Sequence, residues 1–308
     1  MMPRRKITPR IAAAAIAALL LFSRISIAGE PKVEKDILFD VQNGIELRGD
    51  MYVPDGKGPF PGILFIHGGG FVGGTKNWTS LVPLIRYFVD RGYAVFSSDY
   101  RLLKDNGIFP NNIKDSKCAL AWLKTNAAKY NVDAGRIGVM GESAGAYLAG
   151  MLATTAVNPD MNSDCPIAKG VDMSVQAGVL FYPPTDFVSF EGGFSQVLRI
   201  ELMRMASLKN KKQVLEFEKK YSPLTYVNSA VPLFISNSDP DRTVPPQQSH
   251  IMVEKLKKAG KTVEYLEVTG EGMDHGFVLS QPDCSQSVEA KEKAAAFLDK
   301  YVKNTGGK

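Results

Sequence analysis

The stretch Gly141-Glu142-Ser143-Ala144-Gly145 matches the pattern Gly-x-Ser-x-Gly. The apolar run 136–140 precedes it and the small residues of 144–153 follow it, which predicts a sharp turn from a strand into a helix. Glycines are needed on both sides because side chains there would collide with the neighbouring strand and helix, and the strained backbone pushes the serine hydroxyl outward. We therefore expect Ser143 to be presented for nucleophilic attack.

A second glycine loop, His67-Gly68-Gly69-Gly70-Phe71, follows the short buried-strand pattern Ile63-Leu64-Phe65-Ile66. Three successive glycines leave backbone N–H groups free of side chains, so that these groups can converge on a negatively charged oxygen. The N–H of Ala144 approaches the same point from the side of the serine. Together the two motifs predict a site for acyl transfer, whereas either one alone would fit an ordinary surface loop.

Three histidines are available to act as the base that a serine nucleophile needs. His67 belongs to the glycine loop, and His250 lies on the amphipathic helix pattern 247–256, where a solvated or capping role fits it better. His275 lies in a polar turn after the alternating strand pattern 262–268, so its loop can bring the imidazole over the serine. We predict that His275 is the general base and later the general acid.

An aspartate is expected between the serine and the histidine in the chain, where it orients the imidazole and stabilises its protonated form. Asp239 and Asp241 both occupy the loop after the strand pattern 231–237. The spacing Asp-x-x-Val-Pro favours Asp241, because it places this carboxylate one short turn before a helix that begins near Pro245. Asp239 is the alternative, and the aspartate that is not the acid can cap the next helix.

Further motifs resemble the landmarks of a known family in order and spacing: Ser98-Asp99-Tyr100-Arg101-Leu102, Phe109-Pro110-Asn111-Asn112, Trp122-Leu123 and Ser222-Pro223-Leu224. With the two glycine motifs, they make residues 36–303 resemble an α/β-hydrolase esterase of the hormone-sensitive-lipase-like group, and more closely its feruloyl and acetyl xylan esterase-like (BD-FAE-like) relatives. The resemblance implies a serine ester hydrolase that acts on small or carbohydrate-linked esters through an acyl-enzyme. The roles it implies are Ser143 as nucleophile, His275 as base, Asp241 as acid, and Gly69, Gly70 and Ala144 as the oxyanion hole.

Strand patterns alternate with helical segments after an initial hairpin, whose turn Asn43-Gly44 is a strong two-residue hairpin signal. The alternation predicts an α/β fold, with a mostly parallel eight-stranded sheet covered by helices on both faces. The predicted strands are 36–42, 45–53, 63–67, 93–97, 136–140, 177–182, 233–237 and 263–268. The candidate site residues follow the carboxyl ends of these strands, where such sheets bind ligands.

The chain has 308 residues, of which 44% are hydrophobic, so it can form one large core, and we expect a single catalytic domain over residues 29–308. Residues 185–221 interrupt the alternation of strands and helices. They can form a small cap over the site, or they can pack on the sheet as ordinary helix, and the sequence supports both arrangements.

Residues 1–28 have the pattern of an export signal: basic residues at the start, an apolar stretch over 11–22, and small residues before a cleavage point after Ala28. A membrane span needs about 20 apolar residues, so a permanent anchor is the less favoured alternative and we expect a secreted or periplasmic protein. Five of the 37 basic residues and no acid lie in this segment, so the remainder balances the 32 acidic residues. Net charge therefore gives no reason to expect a nucleic-acid partner.

In an exported protein the three cysteines, Cys118, Cys165 and Cys284, can form one disulfide and leave one free thiol. The sequence does not select among the three pairings. Cys118 is expected to be the least available, because it lies in a helical pattern where a cysteine usually behaves as a small buried hydrophobe.

The sequence contains neither a Cys/His cluster with metal-ligand spacing nor a Gly-x-Gly-x-x-Gly after the first strand, so no metal and no nucleotide cofactor are expected. The expected partner is a small-molecule or polysaccharide-linked ester. Two other functions fit less well. A peptidase of the prolyl-oligopeptidase type would use the same three side chains but has a long amino-terminal propeller, and a non-catalytic binding protein would not need the complete set of them.

Overall fold

Eight strands form one sheet in the computed structural model, which describes residues 29–191 and 193–304. The strands are β1 (Lys32–Gln42), β2 (Ile45–Val53), β3 (Phe60–Ile66), β4 (Ala94–Ser98), β5 (Val132–Glu142), β6 (Gly178–Phe181), β7 (Leu233–Ser238) and β8 (Val263–Val268). Their order across the sheet is β1-β2-β4-β3-β5-β6-β7-β8. β2 is antiparallel to both of its neighbours, and every other pair is parallel. The predicted mostly parallel, eight-stranded sheet is confirmed.

Helices cover both faces of this sheet. They are α1 (Leu81–Val89), α2 (Asn111–Thr125), α3 (Ala144–Thr154), α4 (Gly193–Met205), α5 (Lys211–Lys220), α6 (Gln247–Lys258), α7 (Phe277–Ser280) and α8 (Ser285–Leu298). Leu64 and Ile66 of β3 join an apolar cluster that includes α2 and α3. Ile63 and Phe65 join a second cluster, which includes α1 and α8. Because β3 is buried on both faces, its sequence is a continuous apolar run rather than an alternating one.

The hairpin between β1 and β2 turns at Asn43 and Gly44, whose φ angles are both positive at 53° and 81°. Gln42 pairs with Ile45 across the turn, which leaves a two-residue loop. Asn-Gly favours this turn because both positions require a left-handed backbone. The predicted hairpin is confirmed.

The strand order also determines where the loops of interest meet. β3 lies between β4 and β5, so the connections that leave β3 and β5 run to different sides of the sheet and open a crevice at the carboxyl edge. The glycine loop follows β3 and Ser143 follows β5, while Asp241 and His275 follow β7 and β8. The topology therefore brings all of these residues to one edge of the sheet.

Cys118 and Cys165 form a disulfide, which corrects the expectation that Cys118 is the least available cysteine. Cys118 is buried on α2, as its helical pattern indicated. The chain that follows α3 returns over α2, however, and places the Cα of Cys165 6.0 Å from that of Cys118. A helical pattern does not disclose which distant segment packs on the helix. Cys284 is the free thiol.

The segment 185–221 lies between β6 and β7 and contains α4 and α5. Phe187 and Phe217 of this segment both stack on Phe109, with ring centroids 5.3 and 6.2 Å apart. The segment is thus attached to the body through aromatic packing.

The predicted export signal, residues 1–28, lies outside the described residues. Across residues 29–191 and 193–304, no helix combines the length and the apolar character that crossing a membrane requires.

Candidate active site

Ser143 lies at the turn between β5 and α3, with φ of 53° and ψ of −122°. For a residue with a side chain, such a conformation costs on the order of 1–3 kcal/mol and persists only where the surroundings fix it. Close packing does so here: a Cβ on Gly145 would overlap the carbonyl group of Ile66, and one on Gly141 would overlap the carbonyl group of Gly145. Both glycines of the motif are therefore required by the turn.

His275 is brought to the serine by the loop that follows β8, and its Nε2 atom lies 2.8 Å from Oγ of Ser143. Tyr182, directly after β6, packs edge to face on the imidazole with 4.8 Å between the ring centroids. The histidine side chain is 19% exposed. The ring is thus held in place without being sealed from solvent.

Asp241 lies on the other side of the imidazole, with its Oδ2 atom 2.7 Å from Nδ1 of His275. A carboxylate can only accept, so Nδ1 carries the proton and Nε2 is free to accept from the serine hydroxyl. The other carboxylate oxygen accepts the N–H groups of Thr243 and Val244 at 2.8 and 2.9 Å. Asp239 is exposed, so of the two candidate acids the structure brings Asp241, and not Asp239, to the histidine.

The glycine loop runs beside the elbow, because Gly145 packs against the carbonyl group of Ile66 at the start of this loop. Its φ angles are positive at Gly69 (103°) and Gly70 (62°), and a Cβ on Gly69 would overlap a carbonyl group of the same loop. Only glycine fits there. Within the part of the chain that the structure describes, the N–H groups of Gly69, Gly70 and Ala144 donate no hydrogen bond. These three donors are available to a ligand.

The other two histidines have structural surroundings. His67 is buried, and its Nδ1 atom lies 2.7 Å from the carbonyl oxygen of Gly68, so this nitrogen is the donor. Its ring stacks on Tyr100, and burial lowers the pKa of the imidazole. His67 is therefore neutral and helps to anchor the loop. His250 is on the surface of α6 and pairs with Glu267 at 2.5 Å.

Glu142 is a residue to which the sequence pattern assigns no role. Its carboxylate is buried and accepts the N–H of Gly68. Burial raises the pKa of this carboxyl to about 7, although the Gly68 N–H and the nearby His275 act in the opposite direction. The sequence contained a signal for such a role, because Glu142 ends an apolar strand pattern. A glutamate is rarely buried in that position unless its carboxylate has a hydrogen-bonding or charged partner.

Aromatic side chains from several segments meet beside α3. Tyr147, one helical turn after the elbow, contacts Phe71 of the glycine loop and Phe187, with centroids 5.4 and 5.1 Å away. Phe109 packs against all three rings. Through Phe187, residues 185–221 are joined to the helix that begins at the elbow. Their function as a cap over the site stays a prediction.

Curated relatives of the chain are named as esterases. Esterase LipC of Mycobacterium tuberculosis is 30% identical over 223 residues, which are 72% of this chain and 54% of LipC. The probable carboxylic ester hydrolase LipM of the same organism is 30% identical over 216 residues, which are 70% of this chain and 49% of LipM. The chain thus spans about half the length of the curated relatives it matches.

Solved structures share the fold over most of the chain. A truncated carbohydrate esterase from gut microbiota has a TM-score of 0.75 at 21% identity, covering 87% of this chain and 95% of its own. The esterase Est2 of Thermogutta terrifontis has a TM-score of 0.72 at 24% identity, covering 90% of this chain and 95% of its own. These similarities, with the sheet and helices described above, identify the fold.

The family model described as BD-FAE matches residues 49–256, more than half of the chain. The matched range includes the glycine loop, Ser143 and Asp241, and it ends before the loop of His275. The resemblance drawn from the sequence motifs is confirmed. The chain belongs to the BD-FAE family and has the α/β-hydrolase fold.

Proposed function

We propose that the chain is a carboxylic ester hydrolase in which Ser143, His275 and Asp241 act as a catalytic triad. The observation that carries the proposal is the continuous row of hydrogen-bonding distances, 2.8 Å from the serine to the histidine and 2.7 Å from the histidine to the aspartate. A serine hydroxyl is a weak nucleophile until a base takes its proton, and the base needs a partner that fixes its tautomer. The esterase names of the curated relatives support the same class of reaction.

The first half of the reaction forms an acyl-enzyme. His275 takes the hydroxyl proton through Nε2 while Oγ of Ser143 attacks the carbonyl carbon of the ester. Asp241 stays ionised and stabilises the imidazolium that results. The imidazolium then gives its proton to the leaving alcohol oxygen, the bond between the carbonyl carbon and that oxygen breaks, and the acyl group remains on the serine.

The second half releases the acid. Water gives a proton to His275 and attacks the acyl carbon, and the proton then returns to Oγ of Ser143 as the bond to the acyl carbon breaks. In both halves the carbonyl oxygen becomes an anion, and we assign its stabilisation to the N–H groups of Gly69, Gly70 and Ala144. The freedom of these three donors supports this assignment. The steps need no cofactor.

We propose small or carbohydrate-linked esters as the substrates. The support is the resemblance of the sequence motifs to feruloyl and acetyl xylan esterases, together with the BD-FAE family membership. A panel of p-nitrophenyl acyl esters, methyl ferulate and acetylated xylan, each assayed as kcat/KM, tests the substrate class. The proposal expects turnover of short-chain p-nitrophenyl esters, methyl ferulate or acetylated xylan, and activity confined to long acyl chains would contradict it.

Covalent labelling tests the reaction itself. A fluorophosphonate reacts with an activated serine, so we expect peptide mass spectrometry to find the label on Ser143 and to find none after Ser143→Ala. An amino-acid p-nitroanilide is the control substrate for a peptidase. Anilide hydrolysis without ester turnover would indicate a peptidase, and a chain with neither labelling nor turnover would be a binding protein that retains the fold.

We also propose that the protein is exported and that residues 1–28 are removed after Ala28. The disulfide between Cys118 and Cys165 supports this, because disulfides persist mainly in oxidising compartments outside the cytosol. Mass spectrometry of the protein secreted by an expression host is the test. The expected amino terminus is Gly29, and a mature fraction that still begins in residues 1–28 would contradict the proposal.

A further inference from the structure

Glu142 is buried directly beside the nucleophile, and the mechanism above gives it no task. Its side chain is 4% exposed, and its Oε1 atom accepts the N–H of Gly68, 74 residues earlier in the chain. A Cβ on Gly68 would overlap the carboxylate, so the side chain and the loop backbone approach as closely as a glycine allows. One hydrogen bond therefore joins the residue before Ser143 to the residue before Gly69.

This hydrogen bond connects the two parts of the site whose relative position decides how well an oxyanion is stabilised. Donors are effective only if they are held about 2.7–3.1 Å from the oxyanion position before the reaction begins. Gly68 leads directly into the two glycines whose N–H groups are free, and Glu142 is attached to the constrained elbow. Above its pKa of about 7 most of this carboxylate is ionised, and a bond to an ionised carboxylate is roughly twice as strong as a neutral one, so it then restricts the loop more than a neutral acceptor would.

The titratable groups around Glu142 come from three other loops: Tyr100 after β4, Tyr182 after β6 and His275 after β8. Burial and the nearby carboxylates raise the pKa of both tyrosine hydroxyls, so these groups stay neutral. Of the three, only His275 gains a positive charge during the proposed reaction. Its imidazolium would have Asp241 at Nδ1 and Glu142 within electrostatic reach.

We propose that Glu142 is a positioning residue for the ester hydrolysis. Its carboxylate holds Gly68 so that the two following amides face the carbonyl group attacked by Ser143, and its negative charge favours the imidazolium form of His275. The inference rests on the proposed function, because it assigns Glu142 to the site of that reaction.

Two variants separate the acceptor from the charge. Glu142→Gln keeps an oxygen that can accept the Gly68 N–H, and Glu142→Ala removes both the acceptor and the charge. For Glu142→Ala we expect kcat for p-nitrophenyl acetate to fall about 10²-fold with KM within about threefold, because the lost interaction acts in the transition state. For Glu142→Gln we expect a plateau kcat within about fivefold of the parent.

The pH profile provides a readout that a purely structural role would not move. In Glu142→Gln the acid limb of kcat/KM should shift to lower pH, because the imidazolium loses a nearby anion. Glu218→Gln is the matched control, since Glu218 is also a buried glutamate but lies on α5 in an ion pair with Arg199. Its acid limb should stay at the pH of the parent.

A folded Glu142→Ala protein with the kcat of the parent would overturn the inference. So would a Glu142→Gln protein whose kcat is as low as that of Glu142→Ala and whose acid limb is unmoved. If circular dichroism shows that Glu142→Ala does not fold, the Glu142→Gln profile decides alone, and an unmoved limb overturns the inference. A parent that neither hydrolyses esters nor labels at Ser143 contradicts the proposed function instead, so the two failures are distinguishable.

Discussion

The candidate site has two halves that the chain builds in different ways. The nucleophile half is a row of three side chains, Ser143, His275 and Asp241, joined by hydrogen bonds that span 132 and 34 residues of sequence. The proposed oxyanion half is the backbone loop 67–76, which is shaped by glycines and held by the side chains of Glu142 on β5 and Asp99 directly after β4. Residue types are enough to predict the chemistry that we propose for the first half. The conformation of the second half depends on contacts between distant segments, which the residue types indicate only in part.

The oxyanion half is fixed at both of its ends. At the start, Gly68 donates to Glu142. At the end, the N–H of Lys76 donates to Asp99 at 2.7 Å and the hydroxyl of Ser97 donates to the Lys76 carbonyl oxygen at 2.6 Å. Gly69 and Gly70, whose N–H groups donate no hydrogen bond within the described residues, lie between these anchors, so small changes at either anchor should reach them.

Removing the nucleophile or the base should have the largest effect. Ser143→Ala and His275→Ala should each lower kcat for a p-nitrophenyl ester by about 10⁶-fold, because the two groups act as a unit. Steady-state kinetics on both variants check this, with thermal denaturation to verify that each remains folded. A variant that keeps more than about one hundredth of the parent kcat would show that Ser143, His275 and Asp241 do not act as the catalytic triad.

Removing the charge of the aspartate should lower kcat less than removing the serine or the histidine. Comparing Asp241 with Asp239 tests which of the two is the acid of the triad. Asp241→Asn removes the charge that fixes the tautomer of His275, and we expect kcat to fall about 10⁴-fold. Asp239→Asn is the matched control, since this exposed side chain lies two residues away, and we expect a change of less than about threefold. The reverse ranking of the two variants would reassign the acid to Asp239.

The nucleophile half and the sheet could be predicted largely from the sequence. Gly-x-Ser-x-Gly constrains a backbone turn, and Asn43-Gly44 constrains a hairpin, because each motif satisfies a local steric requirement that few sequences meet. The apolar run of β3 follows from burial on two faces. In each case the signal lies in a short run of residues, even where the packing that requires it, such as Gly145 on Ile66, involves another segment.

The remaining features depend on contacts between distant segments. The disulfide partner of Cys118 is determined by the way the chain after α3 returns over α2. The residues near Cys118 in the sequence do not predict this packing. Glu142 acquires its role only when β3 and β5 pair and bring Gly68 to it. Such tertiary contacts determine the conformation of the oxyanion half. The sequence therefore predicts which glycines form the loop, but not which side chains anchor it.

The glycine loop offers a smaller effect with a control in the same loop. A Cβ in Gly69→Ala would overlap a carbonyl group and φ there is 103°, so the loop must shift, whereas a Cβ on Gly73 meets open space. We expect Gly69→Ala to lower kcat about 10²- to 10³-fold with little change in KM, and Gly73→Ala to change neither by more than about threefold. Equal losses of kcat in the two variants would mean that the reaction depends on the flexibility of the loop and not on the alignment of its N–H donors.

The last effect is expected in stability rather than in rate, and it tests the burial of the Glu142 carboxyl without any substrate. The pKa of this carboxyl is about 7 in the folded protein and 4.5 ordinarily, so between these pH values the folded chain binds more protons than the unfolded one. The free energy of unfolding should therefore fall as pH rises through this window, by on the order of 3 kcal/mol from this group.

Glu142→Gln does not titrate there, so its free energy of unfolding relative to the parent should rise from pH 5 to pH 8. Urea denaturation of both proteins at several pH values measures this difference, in which the groups they share cancel. A difference that stays constant across the window would mean that the buried carboxylate ionises as readily as an exposed one, and that the Gly68 N–H and its surroundings fully compensate its burial.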